Sequence, residues 1–177
     1  MKTRIEILAA IIVLIFISSG CVRAISKELS AQVEEKINIQ QVIKNPEAFM
    51  GKMVIWGGVI VEAKNQKEGT LLEIVQKPVN SEERPRNVDQ SDGRFLVLYG
   101  AYLDVAIYAA GREVTVAGRV KELKERPLGE IDYTYPVISA EEVYLWPPRS
   151  EKQYYIDPYW HYPYWYYYPH RLDPWYR

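Results

Sequence analysis

The 177-residue chain contains one cysteine, Cys21. It therefore has no internal disulfide and no multi-cysteine zinc site. Histidine is nearly as scarce: the chain has two, His161 and His170. An excess of one charge sign is also missing, with 22 Lys plus Arg against 23 Asp plus Glu. That balance gives no electrostatic basis for clamping a nucleic-acid backbone. No G-x-S-x-G, phosphate-binding loop or dinucleotide fingerprint occurs. The adjacent carboxylates Glu82–Glu83 and Glu141–Glu142 resemble an acid–base pair only on paper. Neighbours on a strand point to opposite faces. The expectation is a protein that is not an enzyme and holds no metal or cofactor.

The longest apolar run, Ile7–Ile17, has eleven residues. A spanning helix needs about 20. Lys2 and Arg4 precede the run, and Ser18, Ser19, Gly20 and Cys21 follow it. A basic start, a short apolar core and small residues make a secretory signal. A cysteine directly after the small residues resembles a bacterial lipobox. Residues 1–20 are thus expected to be a lipoprotein signal peptide, with Cys21 the lipidated residue. Acyl chains there would anchor the protein, at about 0.8 kcal/mol per buried methylene. Val22 replaces the Asp that retains enterobacterial lipoproteins in the inner membrane, which points to the outer membrane and its periplasmic leaflet. Residues 21–38 read as a lipidated tether, polar with scattered apolar positions, whose job is reach.

Residues 39–146 read as one all-β domain. Asn45 and Pro46 suit the start of a short helix, and Gly51 its end. Ile39, Val42 and Phe49 would pack on the body. Strand chemistry follows over 52–63, 70–76, 93–99 and 112–123, with a last strand or pair over 129–146 that breaks near Pro136. In the first strand, Val54 and Trp56 alternate, then Val59 and Val61. The change of phase at Gly57–Gly58 suggests a bulge or a sharp bend, as at the corner of a small barrel. Five or six strands with glycines inside them argue for a small barrel or a sandwich.

Five stretches, in order, are similar to the Slp family of outer-membrane lipoproteins. They are PEAFMGKMVIWGGVI (46–60), TLLEIVQKPVNSEERP (70–85), DGRFLV (92–97), YLDVAIYAAGREVTVAGRV (102–120) and GEIDYTYPVISAEEVYLWPP (129–148). After Asp104 the family commonly has Pro, whereas this chain has Val105. The resemblance implies a small OB-like barrel with a short helix, lipid anchorage in the outer membrane, and induction under starvation or stress. It implies no catalytic residues.

The tail, 147–177, holds nine Tyr, three Trp and six Pro. Prolines 158, 163, 169 and 174 exclude a regular helix and disfavour a central strand. Aromatic faces can stack on sugar rings, sit in the headgroup zone of a bilayer, or pack on the protein itself. Tyr159, Trp160, Tyr164, Trp165 and Trp175 are the candidate ligand-binding residues. The candidate partners are the membrane, peptidoglycan, lipopolysaccharide or another envelope protein. A small-ligand or glycan carrier using the barrel mouth is the alternative role. His161, His170, Asp157 and Asp173 match no metal-binding spacing. Arg84 to Arg94 could meet anionic polymers from a loop beside the barrel. Nucleic acid, which an OB-like barrel suggests by analogy, is not expected here.

Overall fold

Alternating β-branched and aromatic residues build five strands in the computed structural model, which describes residues 23–149. The elements in order are α1 (Lys27–Ser30), α2 (Ile39–Lys44), α3 (Pro46–Phe49), β1 (Met53–Gln66), β2 (Gly69–Lys77), β3 (Arg94–Tyr99), β4 (Glu113–Leu128) and β5 (Ile131–Leu145). The strands close into a barrel in the order β1-β2-β3-β5-β4. Only β3 and β5 run parallel among the paired strands. This is an OB-like barrel, so the choice between barrel and sandwich is settled. The expected signal peptide and aromatic tail lie outside the described residues.

The barrel interior is one apolar cluster, with Trp56, Leu72, Phe95, Val116 and Ile138 among its members. Trp56 and Phe95 meet edge to face, centroids 5.2 Å apart. The Trp56 indole N–H donates to the Ile37 carbonyl at 2.8 Å, which removes its desolvation cost. One end of the barrel is plugged by α2. Its Ile39 and Val42 are buried in the same cluster. The helix is short but well started: Asn38 and Gln41 form a reciprocal capping box. Asn45 occupies the N-cap position of α3 with Pro46 at its first turn, although the Asn45 side chain makes no capping bond. Gly51 follows α3 at φ 76°, as a left-handed helix exit requires.

Two strand expectations change. Gly57 and Gly58 carry no bulge: β1 keeps register with β2 and β4 straight through them, and the shift falls between Ile60 and Glu62. Alternation therefore continues from Trp56 to Ile60, which is buried, while Val61 is exposed. The glycine at 58 serves close approach instead. A Cβ there would strike the Val75 carbonyl oxygen and the Ile74 side chain. The second change is at Pro136, which does not interrupt β5. It pairs with Leu123 of β4, one residue before β3 begins to pair with β5 at Val137. At that point β5 has a single partner, and a missing N–H is tolerated.

The segment read as reach is also different in form. From Ala24 to Ile37 it runs over the barrel wall rather than away from it. Ala24 and Ile25 are buried against Ala117 and Trp146. Gln32 accepts from Arg119, and Glu35 pairs with Lys52. This arm explains why β4 is apolar on both faces near its start: Val114 and Val116 face the core, while Ala117 faces the arm.

Candidate functional site at the root of the tail

The sequence-derived site residues, Cys21, Tyr159, Trp160, Tyr164, Trp165 and Trp175, lie outside the described residues. The structure describes their points of attachment, Arg23 and Arg149, and both belong to one corner of the barrel.

Trp146 directly follows β5 and organises this corner. It is 8% exposed and packs on Ala24 and Ile25. Its indole N–H donates to the Thr115 hydroxyl at 2.9 Å, and that hydroxyl donates to the Glu83 carbonyl at 2.6 Å. Tyr144 meets it edge to face at 4.8 Å, and the Arg84 guanidinium lies over its ring at 5.2 Å. Glu113 then divides its carboxylate between two arginines. One oxygen accepts from Arg149 Nε at 2.8 Å and the other from Arg84 Nε at 3.0 Å. Arg84 also donates to the Pro147 carbonyl at 2.8 Å, and Arg149 to that of Pro85. The first three tail residues are therefore clamped to the loop between β2 and β3. Charge-assisted bonds of this kind are the stronger class of hydrogen bond.

The arm is tied down beside this clamp. Glu83 accepts from the Ile25 N–H and Glu142 from the Ser26 N–H, both at 3.1 Å. Glu141 instead pairs with Arg119. Of the carboxylate neighbours, Glu83 and Glu142 thus hold the arm and Glu141 holds Arg119. Arg84 and Arg94 are likewise committed inside the protein, Arg94 to Glu73 at 2.6 Å. The loop turns sharply at Glu83, φ 67°. Nothing in the sequence marks Glu83 and Glu142 as partners of the arm, since they are 58 and 116 residues away from its bonded amides.

Ligands of OB barrels lie on the outer face of β2 and β3. Alternation sends Leu71, Glu73 and Leu96 to that face, opposite the core residues Leu72, Ile74 and Phe95. It is filled. Leu71, Leu96, Tyr135 and Val137 form a buried cluster, with Tyr133 packed against it. Tyr135 donates to Glu73 at 3.3 Å, and the Tyr133 hydroxyl accepts from the Arg94 N–H at 3.0 Å. Burial, then the adjacent Glu73 carboxylate, raises the Tyr135 pKa above its ordinary 10.0. The folded barrel holds this proton more tightly than the unfolded chain does. The resulting stability is complete below the unfolded value and is lost as pH rises through the folded one. Urea midpoints should fall in strongly alkaline buffer, and Tyr135→Phe should reduce that fall; equal slopes in both proteins would remove the assignment.

A cleft of about 650 Å³ remains between the arm and the barrel, lined by Ile37, Trp56, Val79, Asn80 and Glu83 among others. Among the described residues no three His, Cys, Asp or Glu side chains gather as a metal site. No helix there is long and apolar enough to cross a membrane. The loop after β3 turns without the family's proline. The Asp104 carboxylate accepts from the Ala106 N–H at 2.9 Å, and its carbonyl from the Tyr108 N–H at 2.9 Å.

Comparison with known proteins adds relatives to this geometry. The family model described as Outer membrane lipoprotein Slp family matches residues 19–171. An uncharacterized protein of Haemophilus influenzae is 31% identical over 107 residues, 60% of this chain and 58% of its own length. The uncharacterized lipoprotein YeaY of Escherichia coli is 26% identical over 158 residues, 89% of this chain and 75% of its own. The outer membrane protein Slp of Escherichia coli is 25% identical over 109 residues, 62% of this chain and 57% of its own. The chain thus spans between 57% and 75% of the length of these relatives.

Proposed function

Since the chain belongs to the outer membrane lipoprotein Slp family, we propose that it is acylated at Cys21, sits on the periplasmic leaflet, and serves as a non-catalytic mount for its aromatic tail. The tail would contact envelope glycan or lipid and so support envelope maintenance under stress or starvation. One observation carries this reading. The face that OB barrels give to ligands is closed by Tyr135, Leu96 and the Glu73–Arg94 pair, while the root of the tail is held by Glu113 and Arg84. The barrel's own surface chemistry is spent on fixing a segment that carries nine Tyr and three Trp beyond it. Rings on such a segment supply stacking area for sugars and amphipathic surface for headgroups.

The test is a pulldown of soluble protein carrying Cys21→Ser, on purified peptidoglycan and on lipid vesicles. It is run with the whole chain and with a chain ending at Arg149, because residues 147–149 belong to the clamp. Retention of the whole chain and loss of the shortened one is the expected result. No retention on either material would sink the tail's role.

The cleft under the arm favours a second reading, a carrier of a small ligand. In that case the chain ending at Arg149 would keep its ligand, and a bulky Asn80→Trp would expel it.

A further inference from the structure

Three features with separate origins meet at the Trp146 corner. The first is the way in. Ala24 and Ile25 are buried on Trp146 and Ala117, and the amides of Ile25 and Ser26 donate to Glu83 and Glu142. Only Val22 and Arg23 separate Cys21 from this docked chain. An extended residue covers at most about 3.6 Å, so a link this short gives an anchor at Cys21 little reach beyond the docked Ala24. The second feature is the way out. Trp146 itself leads into Pro147, whose carbonyl is held by Arg84, so the tail leaves from the same place.

The third feature is the loop between β3 and β4. Six large apolar side chains are markedly exposed among the described residues, and three of them are Tyr102, Val105 and Ile107 in this loop, at 69%, 41% and 51%. The loop is joined to the corner by one side chain. The Arg112 guanidinium donates to the Ile107 carbonyl and to the Trp146 carbonyl, each at 3.0 Å. The charge nearby is mixed: Arg23 and Arg86 are exposed, and so is Glu82. Attraction to a strongly charged polymer is therefore not what this surface offers. Apolar and aromatic groups beside a lipid anchor suit the headgroup zone of a bilayer.

We propose that this corner is a membrane-facing surface: the 102–107 loop and the root of the tail rest on the phospholipid headgroups beside the acylated Cys21, which fixes the barrel in one orientation on the bilayer. The inference rests on acylation at Cys21. The partner is the headgroup layer, and the other end of the protein, the turn joining β4 to β5 at Gly129–Glu130, points away from it. That turn lies at the opposite end of the fifteen-residue β5 from Trp146.

Full-length acylated protein in vesicles of phosphatidylethanolamine and phosphatidylglycerol tests this. Acylation blocks the Cys21 thiol, so a fluorophore can be placed on one new cysteine, Val105→Cys or Glu130→Cys. Both positions are exposed, and neither substitution disturbs packing. Brominated lipid should quench the probe at 105 at least twofold and leave the probe at 130 unchanged. Equal quenching at both positions, or none at 105, overturns the proposal. The mass of the purified chain separates the two levels of the argument. A chain without acyl groups overturns anchorage and orientation together. An acylated chain with position 105 unquenched overturns orientation alone. As a second variant, Ile107→Asp in the soluble Cys21→Ser protein should lower vesicle retention severalfold; unchanged retention counts against the loop's contact.

Discussion

Cys21→Ser should move the protein from the membrane pellet to the soluble periplasmic fraction almost completely. The acyl chains on a processed cysteine supply the anchoring energy, at about 0.8 kcal/mol for each buried methylene. A contact made by the 102–107 loop and the tail is smaller and reversible, and fractionation dilutes it away. The barrel itself should be unaffected. Its contacts begin at Ala24, three residues beyond the substitution. Thermal unfolding of the soluble variant should therefore match that of detergent-extracted protein. Continued sedimentation of Cys21→Ser with membranes would sink the claim that this residue anchors the chain.

The second large effect is on stability. Trp56→Ala should lower unfolding free energy by about 4 kcal/mol, in the range for large-to-small changes at buried aromatic sites. Trp56 is 6% exposed and belongs to the core cluster of the barrel, with Phe95 against its ring. Its removal opens a cavity and also leaves the Ile37 carbonyl without its donor. Tyr102→Ala is the control. Its side chain is 69% exposed, and the change should stay within about 0.5 kcal/mol. Urea midpoints measured on the soluble protein decide the matter. Similar shifts for both variants would mean that Trp56 is not a central packing residue.

What the sequence made readable was local. The apolar run of 70–76 became Gly69–Lys77, and 93–99 became Arg94–Tyr99, because alternation reports a half-buried strand directly. Pro46 and Gly51 marked the ends of α3 because each has a backbone preference of its own. The capping box of Asn38 and Gln41 was missed, because both residues fell at the border of a stretch read as tether. Long-range effects were not legible. The phase through Gly57–Gly58 depends on how closely β2 approaches, and the continuity of β5 through Pro136 depends on where β3 starts to pair. Of the candidate site, the anchor and the aromatic residues are expectations from composition and position, and they lie outside the described residues. Their common mount was not legible. Trp146, Glu83, Glu113 and Glu142 look like ordinary strand and loop residues until the fold brings them together.

The docked arm also imposes an order of events in time. Every group that holds Ala24 to Ser26 is synthesised after it: Glu83, Ala117, Glu142 and Trp146. The first residues to emerge are thus the last to settle. The hairpin of β4 and β5 can zip locally, whereas β1 must find β4 across a separation such as Met53 to Arg119. Until that closure Ala24 to Ser26 have no surface to rest on. Docking of the arm is then timed by closure of the barrel, with slow closure delaying it and fast closure advancing it.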